Sequence, residues 1–72
     1  MIDPKLKTVL SVAETLNITK SAKLLSLTQP SVSQHIKAVE ETLGVKLFVR
    51  TNRGLKVTAE GQIVIDYAKK MR

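Results

Sequence analysis

The sequence predicts a mainly α fold, with three helices, a two-stranded β-hairpin and a fourth helix at the C-terminal end. Three observations support this prediction. Apolar residues recur at intervals of three and four through most of the chain. Capping residues and a glycine stand where these stretches begin and end. The helical period is interrupted by two short β-prone runs around "TNRG".

The composition restricts the class of protein. Seventy-two residues make one small domain or a piece of a larger protein. The chain has zero cysteines, which excludes disulfides and thiolate metal sites and favours a cytoplasmic location. No apolar run reaches the ~18 residues of a membrane span. Twelve Lys and Arg against six Asp and Glu give a net charge of +6, which favours a polyanion as partner, either nucleic acid or an acidic membrane surface.

The first helix is predicted from its start signals and its apolar stripe. Asp3 can cap it, and Pro4 fits the first helical position. The helix should end near Leu16 and Asn17. Its inward residues recur at helical spacing, with Val12 beside them: Leu6, Val9, Leu10 and Ala13.

The next two helices are predicted to form a helix-turn-helix. Thr19 can cap a short second helix that runs to about Leu25, with Ala22 and Leu25 inward, and Thr28 can cap a longer third helix. Gly44 ends the third helix, because glycine adopts the left-handed conformation without strain. The inward stripe of the third helix is Val32, Ile36, Val39 and Leu43. A short helix, a tight turn and a longer helix make up the DNA-binding motif of this name.

A hairpin and a fourth helix complete the prediction. The strands cover residues 47–50 and 55–58, with a turn at 51–54. Thr58 then caps a helix that runs from Ala59 towards Arg72. We therefore expect a winged helix-turn-helix DNA-binding domain over residues 1–58 and a linker or dimerisation helix over residues 59–72. Because the helical pattern continues to the last residue, a longer parent protein is expected.

The outward face of the third helix carries short hydrogen-bonding side chains where a merely soluble helix would more often carry Glu, Lys and Ala. A helix in the DNA major groove presents its N-terminal residues to base edges. Gln pairs well with adenine, Lys with guanine or phosphate, and Ser with donors or acceptors. Free N–H groups of the first turn can bind a phosphate. The candidate DNA contacts of this helix are Thr28, Gln29, Pro30, Ser31, Ser33, Gln34 and Lys37.

Cations on the hairpin and on the second helix extend this candidate surface. Arg50, Arg53 and Lys56 lie on the hairpin, with Arg53 at its tip, where it can enter a minor groove or hold a phosphate. Arg50 could equally pair with a nearby carboxylate. Thr19 and Lys20 start the helix that crosses the phosphate backbone in this motif. Together with the third helix, these cations favour double-stranded DNA over a membrane as the partner.

The sequence offers no catalytic or metal-binding set. His35 is the only histidine, and without a second His or a Cys a metal site has almost no support. We expect it to pack at the edge of the third helix. No nucleophile has a base and an orienting partner at suitable spacing. An enzyme is therefore not expected, and neither is a cofactor in this segment.

The last helix is apolar over an arc of roughly 200°, wider than the ~100° stripe of a surface helix. A small domain can bury only part of that arc, so the remainder is predicted to form a homodimer. An alternative is that these residues are simply exposed. The predicted dimerisation residues are Ile63, Val64, Ile65, Tyr67, Ala68 and Met71. A two-fold pair would fit the two half-sites of a pseudo-palindromic DNA site.

The segment from Val12 to Gly61 resembles the N-terminal DNA-binding domain of LysR-type transcriptional regulators. The most specific parts are "LTQPSVSQHIKAVEETLG", "VKLFVR" directly after it, and "TAEG" at the start of the last helix. The resemblance implies a bacterial DNA-binding transcription regulator with a recognition helix that begins at "TQPS", Arg53 at the tip of the wing, and dimerisation through the last helix.

Two positions depart from the family pattern. Gln34 stands where the family often has Arg, which leaves the bases read undetermined. Ser21 and Ala22 stand where it often has Ala-Ala, which should slightly weaken core packing. The resemblance also implies a larger C-terminal domain in the parent, which would bind a small effector and could support a tetramer. A rival interpretation is a winged-helix interaction module whose third helix or hairpin binds protein.

Overall fold

The computed structural model describes residues 3–70, and within them the fold is mainly helical. Its elements in chain order are α1 (Pro4–Thr15), α2 (Ile18–Leu25), α3 (Gln29–Leu43), β1 (Phe48–Thr51), β2 (Gly54–Val57) and α4 (Ala59–Lys70). The winged helix-turn-helix predicted from the sequence is therefore confirmed, followed by the helix α4. No helix among the described residues is long and apolar enough to cross a membrane.

The helix starts agree with the sequence except at α2. Asp3 caps α1 by accepting a hydrogen bond from the Lys5 N–H at 2.7 Å, and Thr28 caps α3. The prediction of Thr19 as the cap of α2 is wrong. Asn17 is the cap, because its side-chain oxygen accepts the Lys20 N–H at 3.0 Å. Thr19 therefore lies inside the first turn of α2.

The first three helices end in left-handed residues. Gly44 ends α3 at φ 70°, as predicted, and donates its N–H to the Glu40 carbonyl. Leu16 and Ser26 end α1 and α2 at φ 51° and φ 58°. A side chain in this conformation is costly, so tertiary packing holds these two turns without the help of glycine.

The wing is a two-stranded antiparallel hairpin in which Phe48 pairs with Val57 and Thr51 pairs with Gly54. Each strand begins and ends one residue away from its predicted position. Leu47 is outside the ladder because its N–H donates to the Glu40 carboxylate at 2.8 Å. Thr58 is outside because it caps α4: its carbonyl accepts the Gln62 N–H at 2.9 Å and its hydroxyl accepts the Gly61 N–H at 2.8 Å. At the base of the wing one backbone bond remains, from the Thr58 N–H to the Leu47 carbonyl at 2.9 Å, whereas the reciprocal bond is replaced by the contact with Glu40.

The core lies between α1, α2, α3 and α4 and reaches under the base of the wing. Val12, predicted beside the stripe, is completely buried. Leu43, predicted to face inward, is 47% exposed, because it lies in the last turn of α3, where only a shallow groove beside Leu6 receives it. The buried apolar residues are Val9, Leu10, Val12, Ala22, Val32, Ile36, Val39, Leu47, Phe48, Ile65 and Ala68.

Two buried hydroxyl groups are satisfied by neighbouring side chains. The Ser21 hydroxyl lies 2.7 Å from that of Thr15 and accepts a hydrogen bond from Ser11 at 3.2 Å. The expected loss of core packing at Ser21 is therefore compensated by polar contacts. The Thr8 hydroxyl donates to the Pro4 carbonyl and lies 2.8 Å from His35 Nδ1. His35 is partly buried at the side of α3, as expected, and links α3 to α1.

Candidate nucleic-acid interface

The outward face of α3 begins at its first turn and carries only polar side chains and a proline there. Gln29, Pro30, Ser33, Gln34 and Lys37 are all exposed. The opposite side of the helix is buried in the core. The spacing of the buried residues therefore orients the helix so that these exposed side chains are free to contact a partner.

A pair of hydroxyl groups organises the start of this face. The Thr28 hydroxyl accepts the Ser31 N–H at 3.2 Å and donates to the Ser31 hydroxyl at 2.9 Å. The proton of Thr28 is thus used within the protein, whereas that of Ser31 remains available as a donor. Of the two candidate contacts, Ser31 is the better placed to bond a base or a phosphate.

The starts of α2 and α3 meet the wing at an open groove of about 530 Å³. The groove brings together several residues that are far apart in the sequence. Thr19, Gln29, Pro30, Ser33 and Arg50 are predicted contacts that line it, with Asn17 beside them. Asn17 was missed because nothing in the sequence distinguishes a capping Asn from one that also borders a binding groove.

A neighbouring groove between α3 and the wing is lined by cations. Lys37 comes from α3, Arg50 from β1, and Lys46 from the connection between them. The carboxylate in this groove, Glu40, lies 3.9 Å from the Lys46 ammonium. Lys46 was missed by the sequence analysis, since an isolated Lys before a strand carries no recognisable signal. Three cations beside an exposed hydrogen-bonding helix make a surface suited to a phosphate backbone.

The wing tip is a tight turn stiffened by Thr51. Its hydroxyl donates to the Gly54 carbonyl at 3.0 Å and accepts the Arg53 N–H at 3.2 Å. Gly54 has φ 109°, a conformation that side chains rarely adopt. Arg53 is fully part of this turn and exposed. Its guanidinium is therefore carried at the end of the hairpin on an ordered backbone.

The three wing cations do not share one face. Arg50 pairs with Leu55 in the ladder, whereas Lys56 pairs with Val49. Because successive strand residues point to opposite faces, Arg50 faces the groove beside α3 and Lys56 faces away from it. The structure thus brings Arg50 to the recognition helix and separates Lys56 from it.

The last helix divides the predicted dimerisation residues into two sets. Ile65 and Ala68 are 1% and 2% exposed and belong to the core of this chain, so including them in an intermolecular surface was wrong. Val64 is partly buried. Ile63 and Tyr67 are 71% and 68% exposed and lie one turn apart. Met71 lies outside the described residues.

No group of three or more metal-binding side chains occurs within residues 3–70.

Lys20 is exposed on the first turn of α2, next to the groove that Thr19 lines. The described surface thus combines hydrogen-bonding side chains at a helix start, two grooves and a basic hairpin. Its chemistry is that of binding a polyanion.

Comparison with known proteins bears on this surface. Residues 4–62 match a family described as "Bacterial regulatory helix-turn-helix protein, lysR family". The HTH-type transcriptional activator AllS of Salmonella typhimurium is 44% identical over 70 residues, covering 96% of this chain and 23% of that protein. AlsR of Bacillus subtilis, an HTH-type transcriptional regulator, is 43% identical over 60 residues, covering 83% and 20%. The chain spans less than a quarter of the length of these curated relatives.

Solved structures extend the similarity to complexes with DNA. The complex of the BenM DNA-binding domain with catB site 1 DNA superposes with a TM-score of 0.90 at 37% identity, covering 99% of this chain and 80% of that chain. The complex of the CbnR DNA-binding domain with DNA gives 0.89 at 35% identity, covering 99% and 82%. A regulator from Eggerthella lenta gives 0.89 at 40% identity, covering 96% and 99%.

Proposed function

The chain belongs to the lysR family of bacterial regulatory helix-turn-helix proteins, and from this premise we propose how it recognises DNA. The matched relatives are transcriptional regulators rather than enzymes. We assign α3 to the major groove of a specific double-stranded site. The observation that carries this assignment is the exposed hydrogen-bonding face at the start of α3, beside a groove shared with the basic wing.

Base readout falls to the side chains at the start of α3. Gln29 and Gln34 each offer an amide that can bond the edge of an adenine in two places. Ser31 and Ser33 are short enough to let the helix approach the bases. Pro30 lacks an N–H and makes only apolar contact, for example with a thymine methyl group.

Phosphate contacts surround the base-reading side chains of α3 and set the position of the domain on the duplex. Lys37, Lys46 and Arg50 line the groove between α3 and the wing, and they suit one strand of the backbone. Thr19 and Lys20, at the start of α2, suit a second stretch of backbone. Arg53 at the wing tip reaches the adjacent minor groove or its phosphates. Lys56, on the other face of the wing, adds only to the general positive field.

The same geometry supports recognition of DNA by a homodimer. Ile63 and Tyr67 form an apolar strip on the outer face of α4 that a second copy can cover. A two-fold dimer places two recognition helices on the half-sites of a pseudo-palindromic target. An effector site and assembly into tetramers belong to a longer parent protein, and a cytoplasmic location gives access to bacterial DNA.

The test of this function is a binding selection on a random duplex pool at ~0.15 M salt, where contacts to phosphate alone are weak. We expect enrichment of a two-fold repeat whose half-sites lie about one helical turn apart. A protein-docking module would instead bind all sequences weakly and lose this binding as salt rises. That outcome would overturn base readout.

Substitution of Gln34 separates base readout from phosphate binding. Gln34→Ala should weaken the selected site by ~1–3 kcal/mol and relax preference at one or two base positions. Arg53→Ala should weaken selected and scrambled duplexes more evenly. Gln62→Ala is a matched control, because Gln62 lies on α4 and bonds Asp66. Equal losses on both duplexes with Gln34→Ala would contradict its assignment as a base-reading residue.

A further inference from the structure

Glu40 lies at the junction between the recognition helix and the wing. The segment that connects these two elements, residues 44–47, bonds to it through backbone N–H groups. Its backbone carbonyl accepts the Gly44 N–H at 2.8 Å and the Val45 N–H at 3.3 Å. Its carboxylate oxygen Oε2 accepts the Leu47 N–H at 2.8 Å and, over a longer 3.5 Å, the Phe48 N–H. One residue of α3 thus holds backbone N–H groups from the end of α3 to the start of β1.

The carboxylate bonds are made where water has little access. The Leu47 residue is 0% exposed, and the Glu40 side chain is 12% exposed. A buried N–H without an acceptor is strongly disfavoured, so the Leu47 N–H cannot simply exchange Glu40 for solvent. The ion pair with Lys46 is the weaker part of this contact, because the Lys46 side chain is 77% exposed and lies 3.9 Å away.

Thr58 also bonds to this segment, through the carbonyl groups of Lys46 and Leu47. The Thr58 N–H donates to the Leu47 carbonyl at 2.9 Å, and its hydroxyl donates to the Lys46 carbonyl. The base of the wing is therefore bonded to α3 through the Leu47 N–H and to Thr58, the cap of α4, through the Leu47 carbonyl. A rigid hairpin on a base held in this way has its tip direction set by these bonds.

We propose that Glu40 is a positioning residue for DNA binding: its carboxylate sets the wing against the recognition helix, so that Arg53 and Gln34 reach the same duplex. This inference rests on the proposed function, since it requires the wing tip to contact DNA. It adds a residue that does not itself touch DNA. It also predicts that loss of Glu40 removes the contribution of the wing while base readout by α3 remains.

The test is a double-mutant cycle between Glu40→Ala and Arg53→Ala on the selected duplex. In the wild-type background Arg53→Ala should weaken binding about tenfold. In the Glu40→Ala background the same substitution should change affinity less than about threefold, because residues that are coupled through a backbone shift have non-additive effects, whereas independent residues do not. Gln34→Ala should lose the same factor in both backgrounds. A full tenfold loss from Arg53→Ala in the Glu40→Ala background would overturn the proposal.

Three further variants separate positioning from charge and from folding. Glu40→Gln keeps an oxygen acceptor for Leu47 and should restore affinity to within about threefold of wild type. Glu40→Asp keeps the charge but shortens the reach, so it should behave like Glu40→Ala even if the latter folds poorly. Glu41→Ala removes the adjacent, exposed carboxylate and should show no coupling to Arg53. Failure of Glu40→Gln to restore binding would also count against the proposal.

A measurement without DNA keeps this inference distinct from the proposed function. In Glu40→Asp the amide protons of Leu47 and Phe48 should exchange faster, and amide shifts should change through the wing but not in the first turn of α3. If Arg53→Ala leaves wild-type affinity unchanged, the proposed wing contact fails. If amide shifts in the wing do not respond to Glu40→Asp, the positioning role fails instead.

Discussion

At the scale of single residues, the polar side chains of this chain divide into those used by the fold and those left for a partner. Asn17 and Thr28 cap helices, and Ser21 bonds two hydroxyl groups inside the domain. Gln29 and Gln34 stand exposed on α3. Residue type alone does not make this division, because Asn, Ser and Thr suit both tasks. The hydrogen-bond partners of each side chain decide it.

The correction of the α2 cap can be tested by a pair of substitutions. Asn17→Ala should lower the free energy of unfolding by about 1 kcal/mol, because the Lys20 N–H loses its acceptor. Thr19→Ala should change it by less than about 0.5 kcal/mol, as for an exposed helical position. Urea denaturation of both variants provides the comparison. A larger loss from Thr19→Ala would restore Thr19 as the cap.

At the scale of elements, α4 is joined to the base of the wing by a close approach of backbones. A Cβ placed on Gly61 would lie 2.9 Å from Leu47 Cα and 3.0 Å from Leu47 C. Backbone atoms cannot move aside as a flexible side chain can. The "TAEG" segment thus combines a cap, Thr58, with a glycine three residues later that lets the helix dock. The close approach explains why Gly61, a residue of poor helix propensity, lies in the first turn of α4.

Gly61→Ala should destabilise the domain although alanine favours helices. The propensity gain is about 1 kcal/mol, whereas overpacking against a fixed backbone costs roughly 1–3 kcal/mol and occasionally more. We expect a net loss of up to about 2 kcal/mol in thermal or urea unfolding.

Gly44→Ala is the comparison variant for Gly61→Ala. An added Cβ at Gly44 meets nothing within 4 Å, but φ is 70°. Its loss should be about 1 kcal/mol and should arise from backbone conformation alone. A Gly61→Ala variant as stable as the wild type would show that α4 can shift away from Leu47.

At the scale of the whole molecule, one side of α4 completes the core and the other is left uncovered. Ile65 and Ala68 pack inward, and Gly61 allows the approach, so the helix cannot rotate about its axis without opening the core. This fixed rotation presents Ile63 and Tyr67 to solvent. A helix of 12 residues is about 18 Å long. Two such helices can pack side by side around these residues.

Charge substitutions at Ile63 and Tyr67 test the proposed dimer interface on the outer face of α4. Ile63→Glu and Tyr67→Glu should each shift the monomer–dimer equilibrium towards monomer at least tenfold, because burial of a like charge from each copy is unfavourable. Sedimentation velocity over a range of concentrations measures this shift. Leu24→Glu, at a residue of α2 that is 66% exposed, is the matched control and should leave the equilibrium unchanged. Wild-type protein that stays monomeric at high concentration would contradict the proposed dimer interface.

The sequence by itself determined the order and type of the elements and the face of α3 that is available to DNA. Local signals were sufficient, because helical spacing, an Asp-Pro start and a final Gly44 each act over a few residues. The same locality limited the prediction at α2. Asn17 and Thr19 are both good caps, and the choice depends on placing Ile18 within the helix, where it packs against the core.

Tertiary structure alone decided which apolar and charged residues are used within the fold and which are exposed to a partner. The arc of α4 was visible in the sequence, but only packing on the other helices assigns Ile65 to the core and Ile63 to the surface. The strand limits moved because the Leu47 N–H bonds to Glu40 and the Thr58 carbonyl bonds to the Gln62 N–H, instead of to each other. Glu40 itself carried no signal, since its partners are N–H groups of a loop whose path exists only after folding. Contacts between residues distant in the chain, or made by backbone atoms, are not encoded in local periodicity.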